Sequence, residues 1–115
     1  MARADFNMIR FDQEFTASSP SVTKQFPVEG NAAPIDDAYL LIQVQGVASP
    51  HAIQINGTVL EAGGLVPAPG NSQAWRVGMN RIPPGILKLG ANTITIVRHG
   101  NDDFRVGWVV VNWRE

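Results

Sequence analysis

The chain has 115 residues, a size for one domain spanning 1–115, and nine Lys and Arg against ten Asp and Glu leave a formal charge of −1. That balance offers no basic face for nucleic acid, and the absence of cysteine excludes disulfides, thiolate metal sites and cysteine nucleophiles. Hydrophobic residues make up 44% of the chain, enough for one core, yet no apolar run approaches the length of a membrane span.

In chain order, Met1 to Phe6 lacks the apolar stretch of a secretory signal, so the expected location is cytoplasmic, or exported without a standard signal. Asp5 to Phe15 reads as a first strand with apolar residues on both faces. Thr16 to Ser21 is a Ser/Thr/Pro loop, and Val22 to Val28 a short strand that Pro27 confines to an edge or a bulge. Glu29 to Asp37 is a loop turning at Gly30-Asn31, and its Asp36-Asp37 pair reads as a soluble turn. Ala38 to Val47 alternates clearly, and Ala38, Leu40, Ile42 and Val44 should face the core.

Ala52 to Ile55 and Thr58 to Leu60 form a hairpin about Asn56-Gly57, since both turn residues tolerate positive φ. Glu61 to Ser72 is a long Gly/Pro/Ala connection, with Gly63-Gly64 read as conformational. Ala74 to Met79 is a strand with Trp75, Val77 and Met79 on one face. Pro83-Pro84-Gly85 leads into a helical turn or an extended link, and Leu89 is placed to plug the core before the Gly90 turn. Thr93 to Arg98 and Phe104 to Trp113 are the last strands.

Two segments of this series, Ile55-Asn56-Gly57 and Leu89-Gly90-Ala91-Asn92 with the alternation that follows, resemble the galactose-binding-like jelly rolls, which include many carbohydrate-binding modules. The likeness spans roughly Ala38 to Trp113. It implies a hairpin lining one sheet and an entry into a core strand, and it carries no ligand residue across. With eleven Gly and eight Pro, and no helical periodicity, the expected fold is all-β: a two-sheet antiparallel β-sandwich, a jelly roll with little or no helix.

For chemistry, neither a nucleophile elbow nor a phosphate loop occurs, so the chain reads as non-enzymatic. Trp75, Trp108 and Trp113 are the candidates for sugar stacking, with Trp75 or Trp113 as the platform, although a tryptophan also serves a core; Trp113, near the chain end, is expected to be the most accessible. His99, Asn101, Asp102, Asp103 and Arg105 gather polar groups at one rim, where amides, carboxylates and a guanidinium suit sugar hydroxyls. Asp102 and Asp103 are also weak calcium candidates, with no other cofactor implied. His51 and His99 read as solvated loop residues.

The final strand places Phe104, Val106, Trp108 and Val110 on one face and Arg105, Gly107, Val109, Val111 and Trp113 on the other. Both faces are largely apolar, so one must be covered: by a loop, by the N-terminal segment (Phe6 to Phe11), by another subunit in a homo-oligomer, or by a ligand. Two functions remain from this reading, with a small hydrolase or isomerase built on a sequence-scattered site as a minor third. One is weak carbohydrate binding by loops at a rim of the sandwich. The alternative is a structural, oligomer-forming subunit, of phage or secretion type, without a small-molecule ligand.

Overall fold

The computed structural model describes residues 4–28, 36–48, 50–60, 74–99 and 101–114. They form β1 (Ala4–Phe15), β2 (Ser21–Val28), β3 (Asp36–Gln45), β4 (Ala52–Ile55), β5 (Thr58–Val59), β6 (Arg76–Arg81), β7 (Gly90–Val97) and β8 (Phe104–Arg114). There is no helix among the described residues. The expected turns at Gly30-Asn31 and Gly63-Gly64 lie outside them.

Two antiparallel four-stranded sheets carry the orders β1-β8-β3-β6 and β2-β7-β4-β5. The pairs 1·8, 2·7, 3·6 and 4·5 are those of one long ribbon folded at its tip and rolled into two layers. That is the jelly roll. The tip is Asn56-Gly57, where φ of 51° and 83° gives the primed turn that a two-residue hairpin needs. Pro27 sits on β2, which is an edge strand, so its missing N–H breaks no ladder.

The core lies between the sheets. Ile9, Phe11 and Phe15 of β1 and Leu40, Ile42 and Val44 of β3 line one wall, with Ile53, Ile55, Ile94 and Ile96 supplying the opposite one. The period-2 alternation of β3 is obeyed as its sequence dictates. Leu87 plugs the loop before β7, whereas Leu89 is 44% exposed. Residues 84–87 form turns and bends, and no helical turn.

β8 departs from simple alternation. Ile42 pairs with Val109 and Val44 with Val106, so β8 carries one extra residue at Gly107-Trp108. β1 carries its own at residues 11–12, where Asp12 takes a φ of 44°. The bulge swaps the faces of β8: Phe104 and Val106 point inward, and beyond it Val109, Val111 and Trp113 do. Trp113 is therefore 2% exposed, against the expectation of an accessible platform. Closeness to the chain end does not expose it, because β8 is a central strand between β1 and β3.

Candidate functional site

The rim residues fold inward more than their polarity suggests. Asp102 Oδ2 accepts the Ala48 N–H at 2.8 Å and lies 3.0 Å from His51 Nε2. His51 Nδ1 accepts the His99 N–H at 3.0 Å. This pattern fixes the ring as the Nε2–H tautomer and occupies both nitrogens. The imidazole is fully buried and stacks on Phe104 at 4.1 Å, and Phe104 stacks in turn on Phe15 at 4.8 Å. His51 is thus no solvated loop residue: with Asp102 it latches the 46–51 loop to the 98–103 loop.

Both imidazole nitrogens are engaged and the ring is fully buried, while the Asp102 carboxylate keeps a small exposed edge. Arg98 Nε donates to the Asp102 carbonyl at 2.9 Å, and its guanidinium reaches Asp103 Oδ1 at 3.4 Å. The calcium candidates Asp102 and Asp103 are thus engaged by a histidine and an arginine, and no group of three acids or histidines gathers for a metal among the described residues.

At the other end of the sandwich the two quoted motifs meet each other. Asn56 Nδ2 donates to Asn92 Oδ1 at 2.7 Å and to the Ile86 carbonyl at 2.9 Å, while Asn56 Oδ1 accepts the Thr93 N–H at 2.8 Å. Asn92, 1% exposed, also donates to the carbonyls of Lys88 and Gly90 and accepts the Lys88 N–H. The side-chain amides clamp the hairpin tip to the entry of β7. Their role is architectural.

Two of the sequence candidates, Trp75 and Arg105, do come together. They line a shallow groove of about 360 Å³ with Asp12, Gln13, Glu14, Val106 and Gly107, on the outer face of the β1-β8-β3-β6 sheet. Its floor is Gly107. A Cβ there would collide with Gln43 Oε1, while its 3.5 Å approach to the Trp75 indole would be an ordinary contact, so the missing side chain is what lets Gln43 pack against the bulge. Trp75 is 47% exposed. Arg105 Nε faces Glu14 Oε2 at 3.6 Å, and Arg10 Nε holds Asp12 Oδ2 at 2.6 Å. The groove thus offers one aromatic face, two carboxylates and a guanidinium fork.

His99, Asn101 and Asp103 stay on the exposed loop and do not line the groove; Trp113 is in the core. The sequence reading missed Asp12, Gln13, Glu14 and Gly107. One signal was present: a glycine inside an apolar strand marks a bulge or a close approach.

The fold and the groove define a class, a jelly-roll β-sandwich with a shallow concave site on one sheet. Within that class, the chain belongs to DUF7383, a family of unknown function, which it matches over residues 3–115. Among solved structures it is similar to dimeric latent PorU from Porphyromonas gingivalis, with a TM-score of 0.72 and 11% identity, over 99% of this chain and 13% of that one. Such a likeness shows the fold alone. No curated protein matches the chain.

Proposed function

We propose that this sandwich is a non-enzymatic recognition module whose ligand is a carbohydrate seated on the Trp75 indole. The observation that carries the reading is the groove over Gly107, where a half-exposed indole lies beside Arg105, Asp12 and Glu14. Its volume of about 360 Å³ falls in the range of small-molecule sites and suits one or two sugar rings. An indole matches the apolar face of a pyranose, and the carboxylates and guanidinium match its hydroxyls. The site then belongs to the outer sheet face and not to the rim loop.

A glycan array followed by calorimetry, with and without calcium, tests the proposal. Binding between micromolar and millimolar is expected for a shallow open site. Trp75→Ala is expected to weaken it by about tenfold or more, which corresponds to roughly 1.4 kcal/mol. Gly107→Ala is expected to do the same through Gln43, a flexible side chain that must move aside, while the melting temperature barely changes. Null results across the array on folded protein would overturn the reading in favour of a structural subunit.

A further inference from the structure

We propose that the outer face of the β1-β8-β3-β6 sheet is a two-fold interface with a second copy of this chain. The proposal does not rest on the groove's ligand, although the groove lies on the same sheet face. It starts from the bulge, which turns Trp108 and Val110 outward on a central strand. Phe6 to Phe11 do not supply the internal cover: β1 lies edge to edge with β8 and extends the apolar face instead of lying over it.

The registers assemble this face into rows across all the strands. One row is Met8–Val110–Leu41–Met79, apolar from edge to edge. Its neighbour is Phe6–Asn112–Tyr39–Arg81. On the other side of the first row stand Arg10 and Trp108, paired across β1 and β8, and Gln43 and Val77, paired across β3 and β6. Phe6, Met8, Val77 and Met79 are all more than half exposed. An exposed apolar patch of this extent marks a contact surface.

The order of residues within the rows selects a second copy as the occupant. A two-fold axis parallel to the strands, passing between β8 and β3, lays each row on its own reverse. Met8 then meets the partner's Met79, and Val110 meets the partner's Leu41. In the next row Phe6 meets the partner's Arg81, a cation over an aromatic ring. Asn112 meets the partner's Tyr39, an amide with a hydroxyl. In the third row Trp108 meets the partner's Gln43, an indole N–H with an amide oxygen, and the Arg10 stem lies along the partner's Val77 with its guanidinium at the rim. Such self-complementarity is what an isologous interface requires.

Size and charge agree. Strands of twelve, eleven, ten and six residues, about 4.8 Å apart, present roughly 600 Å², at the lower end of the range around ~800 Å² per partner of a standard interface. A formal charge of −1 leaves little repulsion between copies. The same axis places both grooves at one end of the dimer.

Sedimentation velocity up to high micromolar concentration tests this. The wild type is expected to be a dimer, and Met8→Glu and Met79→Glu are each expected to be monomers with an unchanged far-UV spectrum. Because the chain has no cysteine, Met8→Cys and Met79→Cys variants each carry a single thiol. A short bismaleimide is expected to cross-link the two variants when they are mixed and neither alone. A monomeric wild type, a dimer that persists in both glutamate variants, or cross-linking of either cysteine variant to itself would overturn the proposal.

Discussion

Phe104→Ala is expected to cost about 4 kcal/mol, the range for removing a fully buried phenylalanine. At roughly 4 °C per kcal/mol for a domain of this size, the melting temperature falls by about 15 °C. The size of the effect follows from position. Phe104 is 1% exposed and stacks between Phe15 and His51. Its loss opens a cavity and removes one wall of the His51–Asp102 latch, so two loops loosen together. Calorimetry on Phe104→Ala and Phe104→Leu checks this, with Leu expected to lose about half as much because it refills part of the volume. Equal losses for both would show that ring stacking, and not volume, holds the site.

Asn92→Ala is expected to cost about 3 kcal/mol, since a buried group left unsatisfied costs roughly 1–3 kcal/mol and more than one partner is stranded. Those partners are the Lys88 N–H, the carbonyls of Lys88 and Gly90, and the Asn56 amide. Asn92→Asp is expected to be comparably harmful although it has the same volume, because it turns an acceptor toward two carbonyls. Urea titration of Asn92→Ala, Asn56→Ala and the double variant gives the coupling, expected at about 1–2 kcal/mol for residues in one network. Additive losses would mean that the two asparagines act separately and that the hairpin tip is not clamped through them.

These effects bear on function through the sheet that carries the groove. The latch holds the connection running into Phe104, from which Arg105, Val106 and Gly107 continue along the groove. The amide clamp lies on the other sheet and at the hairpin tip. Loss of the latch is therefore expected to blur the groove before the fold is lost, and loss of the clamp to lower stability alone.

What the residues determined locally, they determined well. Strict alternation from Ala38 to Val44 set which side of β3 faces the core, because a period of two leaves no other face for it. Asn56-Gly57 set the hairpin, because a two-residue turn needs positive φ at both positions. The density of Gly and Pro set an all-β chain. Three things were decided only in the folded state. The phase of β8 depended on a bulge opposite β3, which is a property of pairing and not of one strand, and that bulge sent Trp113 inward and Val110 outward. The environment of Asp102 depended on His51 and Ala48, about fifty residues away in sequence, so an acid typical of a turn became half of a buried latch. The groove needed Asp12, Trp75 and Gly107, which lie on three different strands or their flanks and are neighbours only because the ribbon is rolled. Alternation and turns are short-range sterics and can be read along the chain; faces beyond a bulge, and sites shared between strands, exist only once the strands are paired.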